Sequence, residues 1–175
     1  MSLYRSNDKV IFAAAGCWCD VVTFQRILEI RTKMYRYDHN QELALRSAAQ
    51  LVSTMLYNRR FFPYYIFPII AGLDEDGQGF CYHYDSIGNC EPLIYTCSGS
   101  GSTLIMPFLD NQVGKKNMEN LSPEDLKLSL DEALKIVKDS FTSAAEREIT
   151  CGDEAHICII TKDGIREERF ELRKD

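Results

Sequence analysis

The chain carries seven cysteines and three histidines, and these are its most reactive side chains. Cys17 and Cys19 flank Trp18. This C-x-C spacing differs from the C-x-x-C of redox and zinc sites, and no second pair lies at a metal-ligand spacing. The two thiols read as residues at a strand-to-helix junction, and no metal centre is expected. His83 and His156 each lie near a cysteine in a strand-like run. A Cys–His nucleophile needs the two side chains within hydrogen-bond reach, so a cysteine hydrolase using Cys81 or Cys151 stands as one alternative. Lone strand histidines are more often surface or hydrogen-bonded residues. The run Ser98 to Ser102 has the glycines of a phosphate loop, but no Gly-Lys-Ser/Thr follows, and it reads as a bend. Lys115 and Lys116 have no interleaved aromatics and read as a solvated loop. No cofactor is expected.

These residues must be positioned by a fold of modest size. The chain has 175 residues, enough for one domain with a real core. A net charge of −6 argues against non-specific nucleic-acid binding, which needs dense positive charge. No apolar run approaches the roughly 20 residues of a membrane span. The odd number of widely spread cysteines suits reduced thiols in a cytosolic or nuclear protein. Arg5 and Lys9 before the apolar run Val10 to Cys19 weakly imitate a signal peptide. Asp8 dilutes that charge, and the small-residue site lies inside the apolar core, so a buried first strand is expected instead.

The pattern along the chain predicts the elements. Val10 to Ala15 is a buried strand leaving through Gly16. Asp20 is placed to cap a helix whose apolar positions are Val21, Phe24, Ile27, Leu28, Ile30 and Met34; it ends near Asp38-His39-Asn40. A second helix spans about Gln41 to Asn58. Leu93 to Cys97 is a short strand. Ser102 to Val113 is a helix with Pro107 in its first turns or at a kink. Ser122-Pro123-Glu124-Asp125 and Ser129-Leu130-Asp131-Glu132 both match the capping box. His156 to Thr161 and Ile165 to Leu172 form a hairpin around Asp163-Gly164. Strands and helices come in blocks, which favours α+β.

The densest information lies in Arg59 to Asp85. Pro63 stops the second helix. Tyr64 to Ala71 reads as a strand buried on both sides, Asp74 to Gly77 as a turn, and Gln78 to Asp85 as the returning strand. Successive strand residues face opposite ways, so one sheet face accepts only about half of the rings in the aromatic run. Arg59, Arg60, Phe61, Phe62, Tyr64 and Tyr65 therefore form a candidate interface, since aromatics and arginine are enriched in interface cores.

RRFFPYY, IIAGLDEDGQG and IMPFLDNQVGKKN closely resemble the beta subunits of the proteasome, in particular a non-proteolytic type, over about Val10 to Asp175. The resemblance implies an N-terminal-nucleophile hydrolase fold, a four-layer αββα sandwich with two face-to-face antiparallel sheets between helix layers. It implies a single domain over residues 1–175. Active members of that family use an N-terminal threonine whose own α-amine is the base, helped by an aspartate and a lysine on the first strands. MSLYRSNDK offers no counterpart to those strands, so the domain is expected to be N-terminally truncated. By the same resemblance, Gly16 matches the oxyanion-hole glycine and Ser100 the serine near the nucleophile. Glu148 and Cys151 stand where active members have aspartate and serine. No catalytic residue is expected.

The implied role is structural. The chain would be a subunit of a threonine-type endopeptidase complex and no enzyme by itself. Its partners would be alpha and beta subunits in stacked seven-membered rings, in cytoplasm and nucleus, with no nucleic acid or membrane. A second alternative is a catalytic threonine-type subunit whose nucleophile segment lies outside this sequence.

Overall fold

The computed structural model describes residues 2–5, 9–122 and 126–174. It falls into two compact units, Met1–Ile94 with Ile159–Arg166, and Tyr95–Cys158 with Glu167–Asp175.

The first unit is built on an antiparallel sheet of β1 (Ser2–Arg5), β2 (Val10–Gly16), β3 (Ile66–Leu73), β4 (Gly79–Tyr84) and β5 (Cys90–Leu93), in that spatial order. Helices α1 (Trp18–His39) and α2 (Leu45–Tyr57) supply the apolar side chains that cover one face. Strand alternation decides which residues meet them: Val10, Phe12 and Ala14 of β2 and Ile66 and Ile70 of β3 join Val21, Phe24 and Leu28 of α1 and Ala48, Ala49, Val52 and Leu56 of α2 in one core. Phe12 stacks on Phe24 at 5.7 Å, and Tyr64 meets Phe24 edge-on at 5.4 Å. A large side chain such as Phe12, Phe24 or Leu56, fully buried, contributes roughly 1.5–3 kcal/mol.

Several boundaries differ from the sequence reading. β1 was not expected; Ser2 to Arg5 pair with Ala14 to Ile11, so β2 is flanked on both sides. Cys17, not Asp20, is the N-cap of α1. Asp20 lies in the first turn, where its carboxylate accepts the Tyr65 N–H at 2.9 Å. α2 starts at Leu45 rather than Gln41 because Ala44 is extended, which lets Leu43 enter the core. β3 alternates between buried and partly buried residues instead of being buried on both faces. Pro68 pairs only with β2; the β4 ladder begins one residue later, at Ile69 opposite His83. The missing N–H of Pro68 thus interrupts no bond to β4. The last strand of the sheet is Cys90–Leu93, not Leu93 to Cys97; it is an edge, where Pro92 is tolerated. The turn at Asp74 is as read: the Asp74 carboxylate accepts the Gln78 N–H at 2.7 Å, and Gly77 takes φ 78°.

The remaining elements are α3 (Ser102–Gln112), α4 (Leu130–Arg147), β6 (Glu154–Thr161) and β7 (Gly164–Glu171), the last two forming a two-stranded sheet. Pro107 sits inside α3, beyond its first turn. The capping box at Ser129 is complete: the Ser129 hydroxyl accepts the Glu132 N–H at 3.3 Å, and the Glu132 carboxylate accepts the Ser129 N–H at 2.9 Å. In the other capping-box motif, at Ser122-Pro123-Glu124-Asp125, the last three residues lie outside those described. On the hairpin, Ala155 and Ile157 of β6 are buried, and Lys138 of α4 lies 5.6 Å from the Phe170 ring of β7. Among the described residues, no helix is long and apolar enough to cross a membrane.

Candidate functional site

The two positions matched to a family pocket fall in different units: Gly16 in the first, Ser100 in the second. Gly16 ends β2 with φ 122°, a conformation open to glycine. A Cβ there would lie 2.3 Å from the Tyr65 carbonyl oxygen. That close approach lets the Cys17 N–H reach the same oxygen at 2.8 Å, and it fixes the turn from β2 into α1.

Ser100, Glu148 and Cys151 do come together, with a residue the sequence did not single out. The Ser100 and Thr150 hydroxyls are 2.8 Å apart. Thr150 donates to the Glu148 carboxylate at 2.6 Å through its hydroxyl and at 3.2 Å through its N–H. These bonds, with a further contribution from Ser100, hold the Glu148 carboxyl below its ordinary pKa. The Cys151 N–H turns back to the Glu148 carbonyl at 3.0 Å. Burial, and then the charge of Glu148, pushes the Cys151 thiol up. This hydrogen-bond chain runs through two hydroxyls to a carboxylate and contains no imidazole or amine. It orders the loop before α3 against the end of α4, and its one base is a carboxylate held below its ordinary pKa, a weak acceptor for a hydroxyl proton.

The other cysteine candidate is equally inert. Cys81 donates to the Leu93 carbonyl across the sheet at 3.1 Å, and burial pushes its thiol up to about 11. A thiol held protonated at neutral pH is a poor nucleophile. Cys97 is also raised, by burial and then by Asp110, and it lies 3.4 Å from the Ser102 carbonyl. Cys17 and Cys19 are exposed.

Lys116 is more than part of a solvated loop. Its ammonium meets Asp110 at 2.8 Å and lies 5.8 Å from the Tyr95 ring centroid. The Tyr95 hydroxyl donates to Asp110 at 2.6 Å. Lys116 and then Tyr95 lower the Asp110 carboxyl. Gly114 makes room for this cluster, since a Cβ there would lie 2.3 Å from the Tyr95 hydroxyl.

The aromatic block after α2 divides sharply. Tyr64 is 6% exposed and belongs to the core, with Arg59 lying over its ring at 4.6 Å. It is therefore withdrawn from the candidate interface. Phe61 is 93% exposed, Phe62 82% and Tyr65 66%. Arg60 lies between the Tyr57 and Phe61 rings, at 5.8 and 5.2 Å. Trp18 and Tyr57 are exposed as well and carry no distinguishing mark in the sequence. The backbone beneath is held by turns from Arg59 to Leu56, Arg60 to Tyr57 and Phe62 to Arg59, each at 3.0 Å. A rigid corner that presents three large rings to solvent is suited to burial by another protein.

The helix-backed antiparallel sheet and the α3–α4 pair with its hairpin define an α+β protein. The family model described as "Proteasome subunit" matches residues 2–160. The chain is 46% identical over 172 residues to proteasome subunit beta type-1-B of Carassius auratus, covering 98% of this chain and 72% of that one. It is 41% identical over 173 residues to proteasome subunit beta type-1 of Drosophila melanogaster, covering 99% and 74%. It is 43% identical over 180 residues to proteasome subunit beta type-6 of Saccharomyces cerevisiae, covering 99% and 75%. The chain belongs to the proteasome subunit family.

Proposed function

We propose that this chain is a non-catalytic, structural beta subunit of the proteasome core particle, working in cytoplasm and nucleus. It occupies one place in a seven-membered beta ring, stacked on alpha and beta neighbours, and forms part of the wall of a chamber in which other subunits cleave proteins. Its fold in that setting is the four-layer αββα sandwich of the N-terminal-nucleophile hydrolases. It is one component of a threonine-type endopeptidase complex.

The observation that carries this reading is the exposed block of Phe61, Phe62 and Tyr65 on a rigid helix-to-strand corner. Rings of this size are costly to leave in water and are the usual anchors of protein interfaces. The beta type-1 names of the fish and fly relatives support the same role. The non-catalytic assignment draws on the Ser100–Thr150–Glu148 chain, whose carboxylate, held below its ordinary pKa, is a weak base.

Co-purification tests the reading. Tagged chain expressed in cells is expected to sediment with core particles, and the Phe61→Ala/Phe62→Ala variant to be depleted from them. Tagged chain found only as free monomer beside intact particles would sink the proposal.

A further inference from the structure

The outward face of the β6–β7 hairpin carries a second cluster that the proposed role does not use. His156 and Cys158 are two residues apart on β6 and so share a face. Glu167 reaches them from β7: its carboxylate lies 3.0 Å from His156 Nε2. One ligand atom from each of the three residues lies within 4.8 Å of the other two. The neighbouring residues Ala155 and Ile157 are buried, whereas the side chains of His156 and Glu167 are 42% and 51% exposed. His156 and Glu167 therefore face solvent, with Cys158 half-buried beside them, on a two-stranded ladder that fixes their spacing.

We propose that His156, Cys158 and Glu167 form a zinc-binding site. Zinc bonds of about 2.0–2.3 Å in a tetrahedron hold ligand atoms roughly 3.2–3.6 Å apart. The His156–Glu167 pair is already near that separation. The Cys158 sulfur closes the remainder by a side-chain adjustment of about 1 Å, within the range of rotamer motion. Imidazole nitrogen, thiolate sulfur and carboxylate oxygen together suit zinc, whereas magnesium and calcium prefer oxygen alone. The flanking guanidinium of Arg169 is held by Glu154 at 3.2 Å, which leaves Glu167 to its histidine. Binding releases the thiol proton to solvent and leaves the imidazole proton on Nδ1, so that Nε2, which now donates to Glu167, is free to ligate; water completes the fourth position. The set escapes a search for C-x-x-C because its third ligand comes from the opposite strand, eleven residues from His156.

Cobalt(II) and zinc(II) titrations of the full chain test the site. The parent and the Cys17→Ser/Cys19→Ser variant are expected to develop a thiolate-to-cobalt charge-transfer absorption, and Cys158→Ser to lack it. His156→Asn and Glu167→Gln are expected to bind cobalt at least about tenfold more weakly, since losing even an outer partner of a metal ligand costs roughly 10–100-fold. His156→Asn changes an exposed residue and keeps the test decisive should Cys158→Ser fold poorly. The proposal is overturned by absence of the band in the parent, by its survival in Cys158→Ser, by its loss in the Cys17/Cys19 variant, or by unchanged affinity in His156→Asn and Glu167→Gln.

Discussion

The Tyr84 hydroxyl, fully buried at the end of β4, donates to the Ala49 carbonyl inside α2 at 2.7 Å. This bond joins the sheet to the helix above it through a polar contact in an otherwise apolar core. Burial pushes the phenol well above its ordinary range, so it is a donor at neutral pH. Tyr84→Phe is expected to lower stability by about 1 kcal/mol, the net worth of a typical hydrogen bond. A urea titration checks this: the midpoint falls while the slope is unchanged. A variant as stable as the parent would show that the contact contributes nothing.

Two glycines with positive φ separate strain from collision. Gly16 and Gly164 have φ of 122° and 127°. A Cβ at Gly16 meets the Tyr65 carbonyl at 2.3 Å, whereas one at Gly164 meets nothing within 4 Å. Gly164→Ala is expected to cost about 1–2 kcal/mol, the strain of a sparsely populated positive φ alone. Gly16→Ala adds a clash with backbone and is expected to cost more, on the order of 3 kcal/mol. Equal melting temperatures for the two variants would contradict this.

The capping box at the start of α4 predicts a pH dependence. Ser129→Ala is expected to cost about 1 kcal/mol. Hydrogen bonds from the Ser129 side chain and backbone lower the Glu132 carboxyl below its ordinary value of 4.5. A depressed carboxyl contributes stability that is complete above its unfolded-state pKa and is lost as pH falls through the lower folded value. Glu132→Gln should therefore narrow the stability gap between pH 7 and pH 4, measured by denaturant titration at both. A gap as wide as that of the parent would refute the assignment.

The aromatic corner predicts opposite outcomes for adjacent residues. Tyr64→Ala removes a buried ring packed on Phe24 and is expected to cost about 3 kcal/mol. Phe61→Ala and Phe62→Ala remove exposed rings and are expected to stay within about 0.5 kcal/mol of the parent. Thermal melts distinguish these, and assembly assays should rank them differently, with Phe61 and Phe62 mattering there. Destabilisation by Phe61→Ala equal to that by Tyr64→Ala would remove the distinction.

Most elements were legible in the sequence because their signals are local. Helical periodicity marked α1, α2 and α4, Asp163-Gly164 marked the hairpin, and Ser129 with Glu132 marked a cap that forms in full. The family motifs between Arg59 and Asn117 identified the chain's relatives. β1 was missed because a four-residue strand carries too short a pattern to stand out, and its existence depends on β2 pairing with it. The strand expected at Leu93 to Cys97 is instead β5 at Cys90–Leu93, where Pro92 is tolerated because the strand is an edge.

The amino-acid order alone determined that the chain forms an α+β protein and belongs among proteasome subunits, since periodicity and motif identity need no knowledge of neighbours in space. Only the tertiary structure decided that Tyr64 turns inward while Tyr65 turns out, that Ser100 and Glu148 meet through Thr150, and that Glu167 stands beside His156. Each of these depends on strand register or on a return of the chain, and contacts between residues distant in sequence are set by packing rather than by local preference.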